Sequence, residues 1–160
     1  MKLYQFFLFL MLFLCSKLCY AEDLKAHRNV YTPKISALEA INIVKKDLPN
    51  FNVGEVSISK GKSGIKSLDI IITNYGKKIT KIRLNPQTGD VLPKGYRTYY
   101  PEILISEQQG IKKVEKILPV LKVGNPWLGI DKKWKVPLIL DGTVISEVLV
   151  DADSGKIIGK

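Results

Sequence analysis

From Ile35 onward the chain is written twice, and this repeat constrains the fold more than any other feature. Residues 35–54, ISALEAINIVKKDLPNFNVG, align with residues 105–124, ISEQQGIKKVEKILPVLKVG, at an offset of 70, and nine of those twenty positions are identical. Unrelated stretches of this composition share about one or two, so the segment is an internal duplication. The match resumes where Gly76, Ile79, Thr88 and Gly89 fall on Gly142, Ile145, Ser154 and Gly155 at an offset of 66. The second copy is thus four residues shorter in between. Any fold for this chain must suit two versions of one unit.

Each copy opens with a helix signal. Ser36 and Glu39 form an S-x-x-E capping box, and Ser106 and Gln109 form the S-x-x-Q equivalent. Leu38, Ile41, Val44 and Leu48 give the first helix an apolar stripe, as Ile111, Val114, Ile117 and Leu118 do for the second. Pro49 and Pro119 end them, because the residue before proline leaves helical geometry. Strands are predicted at 53–59, 67–73 and 78–85 with a short one from Asp90, and at 124–130, 133–140 and 143–151 with a short tail from Lys156. The four-residue deletion falls in the first hairpin loop, where a surface turn tolerates it. The expected class is α+β: two tandem units, each one helix packed on a sheet of three or four antiparallel strands.

These motifs carry a family resemblance. A capped helix ending at Leu-Pro, a Gly-turned hairpin and a closing strand-turn-strand resemble the PepSY domain of peptidase propeptides and envelope proteins, a cystatin-like layout. Copy two shows the closing motif in Val148-Leu149-Val150-Asp151-Ala152-Asp153-Ser154-Gly155-Lys156-Ile157. Copy one shows it in Ile82-Arg83-Leu84-Asn85-Pro86-Gln87-Thr88-Gly89-Asp90-Val91, with Asn85 where Asp is usual. The tandem layout is also similar to that of the β-lactamase inhibitor proteins. The resemblance implies noncovalent inhibition or chaperoning of a peptidase, acting in trans because no peptidase follows in this chain, and it supplies no catalytic motif.

The division read from the sequence is a leader at 1–21, a flexible segment at 22–34, repeat one at 35–92, a linker at 93–104 and repeat two at 105–160. Lys2 precedes an apolar run from Leu3 to Cys15, and Cys19-Tyr20-Ala21 offers small residues at the positions a signal peptidase reads. The run is shorter than the roughly 20 residues of a comfortable membrane span. The expectation is export to the periplasm or beyond, with cleavage after Ala21; an uncleaved leader would be the route to a membrane. Both cysteines, Cys15 and Cys19, leave with the leader, so the exported protein is expected to lack a disulfide and a thiol nucleophile. Lys2 and Lys17 leave too, taking the net charge from +10 to +8. Such a charge suits acidic envelope partners, and nucleic acid is not expected for an exported protein.

Catalytic chemistry finds no foothold. The single histidine, His27, precedes the first helix and cannot make a metal site alone. Asp151-x-Asp153 lies in the repeated turn that copy one builds from Asn85 and Gln87, and no Gly-x-Ser-x-Gly elbow occurs. No enzyme activity, metal or cofactor is expected.

Alternation along the strands, carried between copies, sorts their faces. Val56 and Ile58 should face the helix, as should Leu68, Ile70 and Ile72, so Trp134, Val136 and Leu138 follow at their offsets. Trp127 takes the outward place of Ser57, while Ile139, Ile145 and Leu149 take those of Thr73, Ile79 and Arg83. Trp127, Ile139, Ile145 and Leu149 then form an outward apolar patch, covered by the other copy, the linker or a second chain in a homodimer, or else used to dock a partner. Tyr96, Arg97, Tyr99 and Tyr100 of the linker form a second candidate surface, or wedge the units together. Lys60, Lys62 and Lys66 on the first hairpin would suit an acidic partner. The function expected is a binding protein that inhibits or regulates an envelope or secreted peptidase; the alternative is a module that holds an anionic envelope component.

Overall fold

Ser36 stops the incoming chain in extended geometry and starts the first helix, α1 (Ala37–Asp47). Its hydroxyl accepts from the Glu39 amide at 3.2 Å, and the Glu39 carboxylate accepts from the Ser36 amide at 2.7 Å. Ser106 and Gln109 repeat both bonds at 3.2 and 2.7 Å to open α2 (Glu107–Ile117). A 3-10 turn with proline at its second residue closes each helix, at Leu48–Asn50 and Leu118–Val120. The computed structural model describes residues 31–159, so the expected leader with Cys15 and Cys19, His27 and most of the 22–34 segment lie outside the described residues.

The two caps differ in one respect. The backbone amide of Ser36, and after it the Ser36 hydroxyl, holds the Glu39 carboxyl below its ordinary pKa, whereas Gln109 does not titrate. A lowered carboxylate stabilises the fold above its unfolded pKa and loses that contribution as pH falls through the folded value. In an NMR acid titration we therefore expect the Ser36 and Glu39 amides to move below the ordinary glutamate range while those of Ser106 and Gln109 hold. Parallel movement of both caps would refute this.

Copy one continues into β1 (Phe51–Gly61), β2 (Gly64–Asn74) and β3 (Lys77–Leu84), an antiparallel sheet in that order. Copy two gives β4 (Lys122–Val123), β5 (Trp127–Leu128), β6 (Lys133–Leu140), β7 (Thr143–Asp151) and β8 (Ile157–Ile158), with β4 and β5 both paired to β6. The class is α+β: two helices and two antiparallel sheets, of three and five strands among the described residues. The difference in strand number is small in substance. Asn125-Pro126 breaks the second copy's first strand, since proline cannot donate to a ladder. The closing strand of copy one is reduced to a single bridge, Leu84 to Val91.

Register follows the repeat. Val53–Ile72, Ser57–Asp69 and Ile58–Leu68 become Val123–Leu138, Trp127–Lys135 and Leu128–Trp134. Both copies also carry a β-bulge at one place: Ile72 pairs Thr80 but Thr73 pairs Lys78, and Leu138 pairs Ser146 but Ile139 pairs Val144. The extra residues are Ile79 and Ile145. A bulge shifts the alternation by one step there.

Tertiary packing departs from the expected tandem units, because the helices are exchanged. α1 packs chiefly on β4 and β6 of copy two, and α2 on β1 and β2 of copy one. A Cβ built on Gly110 of α2 would stand 3.0 Å from Leu68 Cδ2 and 3.2 Å from Ile70 Cδ1, so glycine allows this close approach. The entries to the helices cross over in the same way. Ile35 N–H donates to Ala152 O at 2.9 Å, Trp134 Nε1 donates to Ile35 O at 2.7 Å, and Leu104 N–H donates to Pro86 O at 2.8 Å. Ala152 and Pro86 are equivalent positions of the repeat. Equivalent residues also meet each other midway between the copies: Thr80 Oγ1 lies 2.6 Å from Ser146 Oγ, and Leu48, Pro49, Leu118 and Pro119 line one groove. The chain is a dimer-like pair within one polypeptide, and residues from Pro33 onward form one compact unit.

A single core results, running from Val44 and Val114 of the helices through Leu68, Ile70, Ile72, Ile82, Val136, Leu138, Val148 and Val150. Within α1, Ala40 and Val44 are buried while Leu38 is 66% exposed, so the buried stripe is displaced from the expected one. Ile58, expected under a helix, is 43% exposed near the tip of the long hairpin.

Candidate functional site

The linker decides the character of the helix-free face. Lys94 N–H donates to Val144 O at 2.8 Å, tying the linker to β7. At the other end, Tyr100 and Ile65 exchange backbone bonds of 2.8 and 3.0 Å, tying it to β2. Between these points Arg83 Nη1 donates to Tyr96 O at 3.0 Å. The segment is a strap across both sheets, held by backbone bonds at each end.

Of the expected apolar patch, Trp127 alone is strongly exposed, at 43%. It points outward as the alternation requires, and Lys94 Nζ stands 5.3 Å from its ring centre. Ile139 and Leu149 are half-buried. Ile145 is buried, because it is the extra residue of the bulge and joins the core. The outward patch of four therefore contracts to Trp127 with two partly covered neighbours. Trp134, on the opposite face, packs against the core as expected.

A polar row crosses the same face, mostly on the sheet of copy one. Asp69 is 2% exposed and forms an ion pair with Lys81. Ser67 Oγ donates to Asp69 Oδ1 at 2.5 Å and accepts from Arg83 Nε at 3.2 Å. Glu147, also buried, is paired with Lys94 Nζ at 2.6 Å. A buried carboxylate needs such partners to remain charged away from water.

Tyr96, Arg97 and Tyr99 of the linker lie on one cleft. With Gly95 and Thr98 they line a cleft of about 380 Å³ against Ser59, Lys66 and Arg83 of the first sheet. Lys66 Nζ lies 5.9 Å from the Tyr99 ring centre. Tyr100 does not line it; its backbone extends the sheet, and burial, then the neighbouring Tyr96, pushes its hydroxyl pKa upward while Arg83 opposes this. Sequence reasoning placed Arg83 outward but missed that the strap would bring it beside Lys66 and Arg97. Lys60 and Lys62 stay at the hairpin tip, outside the cleft.

Among the described residues no group of three or more His, Cys, Asp or Glu side chains is placed to hold a metal ion, and no helix is long and apolar enough to cross a membrane. Asp151 serves its turn, accepting from the amides of Asp153 and Ser154 at 3.1 and 2.7 Å, as Asn85 accepts from Gln87 at 2.9 Å. Comparison with protein-family models, curated proteins and solved structures gives no match.

Proposed function

We propose that the protein is an exported, noncatalytic binding protein that inhibits or regulates a peptidase of the periplasm or the surroundings of the cell. Each sheet with the helix laid on it corresponds to one PepSY-like, cystatin-like unit, with the helices exchanged between the repeats. The reading rests on the helix-free face, where exposed Tyr96, Arg97 and Tyr99 stand on the strap and exposed Trp127 on β5, both held by backbone bonds. Tyrosine, tryptophan and arginine contribute most of the energy in protein interfaces, and a surface already held in place loses little entropy on docking. Inhibition would be occlusion of the peptidase by this face, with no covalent step.

Trp127→Ala should leave the thermal melt nearly unchanged, since the side chain is outside the core. Loss of a hot spot weakens binding by about 30-fold or more, which a titration against the captured partner would measure. A folded Trp127→Ala protein that binds and inhibits as before would refute the proposal, as would failure of the unaltered protein to slow any envelope or secreted peptidase.

A second reading is favoured by the grouping of Lys66, Arg83 and Arg97 on one cleft. In it the protein is a module that holds an anionic envelope component. Its binding would fall steeply with salt, because screening shortens the reach of surface charge.

A further inference from the structure

The cleft beneath the strap has a charge pattern that the polar row beside it does not share. Its lining holds three cationic side chains, Lys66, Arg83 and Arg97, and no carboxylate. None of the three forms an ion pair with any described residue. The nearest acid in the network, Asp69, is already neutralised by Lys81 and reaches Arg83 only through the Ser67 hydroxyl. Three like charges brought together without a counterion repel, and an anion placed among them removes that repulsion.

Arg83 is built for such a role. Its Nε donates to Ser67 Oγ and its Nη1 to Tyr96 O, which fixes the guanidinium plane and leaves Nη2 without a partner among the described residues. Ser67, which anchors it, is fully buried. A guanidinium immobilised in this way forfeits little freedom when it binds an oxyanion. Lys66, half-buried, and Arg97, exposed, line the same cleft.

We propose that this cleft is a binding site for one oxyanion group, a carboxylate or a phosphate, with Arg83 as the fixed donor and Lys66 and Arg97 as further cationic donors. The site rests on the second reading above and narrows it from diffuse charge to one built cleft. The rings of Tyr96 and Tyr99 wall it, and about 380 Å³ accommodates the anionic end of a larger ligand.

The test uses residues 22–160, which include the whole compact unit, followed by NMR. The probes are inorganic phosphate, an N-acetylated tripeptide with a free C-terminal carboxylate, and the same tripeptide as its amide. Saturable shifts centred on Arg83, Tyr96, Arg97 and Tyr99 are expected with phosphate, with the free-acid peptide, or with both. Preference for the acid over the amide identifies a peptide carboxylate; response to phosphate alone identifies a phosphate ester. Arg97→Ala and Lys66→Ala, neither in the core, should each weaken binding about tenfold or more, as expected for loss of one charge-assisted contact. Arg83→Ala should weaken it more, although it also loosens the strap. Absence of saturable shifts with every probe overturns the proposal. So do salt-sensitive shifts spread over many lysines and indifferent to both variants, an outcome that leaves the diffuse basic-surface reading standing.

Discussion

Residues 33–92 expressed alone should show no cooperative melt as a monomer, and adding residues 93–160 should restore one. Without copy two, α1 loses β4 and β6 beneath it, and the first sheet loses α2. Leu68, Ile70, Ile72, Ile82 and Leu84, each no more than 1% exposed in the whole chain, would meet water along one face. At about 1.5–3 kcal/mol per side chain this is roughly 8–15 kcal/mol, comparable to the whole stability of an ordinary domain. Refolding α1 over its own sheet is the competing route. It would bring Ala40 where Gly110 now lies, and a Cβ there stands 3.0 Å from Leu68 and 3.2 Å from Ile70. The fragment also lacks Ala152 and Trp134, which hold Ile35 at the start of α1 in the whole chain. Calorimetry and sedimentation of each fragment, alone and mixed, decide the matter. A monomeric 33–92 fragment that melts cooperatively would show that helix exchange is not required.

Ile70→Ala should be the most damaging conservative change in the core, lowering stability by about 3–4 kcal/mol. For a unit of this size that is a fall in Tm of about 10–15 °C. Ile70 is completely buried on the central strand β2, between Val56 of β1 and Ile82 of β3 and under the glycine contact of α2. The packed strands and helix leave little room for collapse around the void. Ile58→Ala supplies the comparison, because that isoleucine is 43% exposed and its truncation should cost less than about 1 kcal/mol. Denaturant melts of the two variants giving equal losses would show that α2 does not press on β2 as described.

Much of the local structure could be read from the residues. The paired capping boxes mark both helix starts, and Pro49 and Pro119 mark where the α-helices give way to 3-10 turns. The offsets of 70 and 66 carry the ladder of copy one onto that of copy two pair by pair, and they place Trp127 outward and Trp134 inward. Gly54 and Gly124 lie at the same place in the two ladders, and a Cβ there would crowd the neighbouring strand, at 3.0 Å from Thr73 Cγ2 and at 2.9 Å from Pro137 Cγ, so a side chain would force those neighbours to shift. Ile79 and Ile145 escaped because a period-two count cannot see a bulge. The anion cleft escaped because Lys66, Arg83 and Arg97 are distant in sequence and meet only once the strap is tied to Ile65 and Val144.

The residues alone mark the helices and most of the strands, their order and the use of one unit twice. An apolar stripe on a helix states that a face is buried, but not against which sheet. When two copies share one core pattern, either sheet satisfies either stripe, and local chemistry cannot choose between them. Packing of the whole chain sets the helices in exchanged places. The fit is collective: Gly110 meets Leu68, Ile70 and Leu84 of copy one, while Ala40 lies on the helix that packs on β4 and β6 of copy two. The same holds for the helix-free face, whose character is set by a strap tied to both sheets rather than by the alternation of either one.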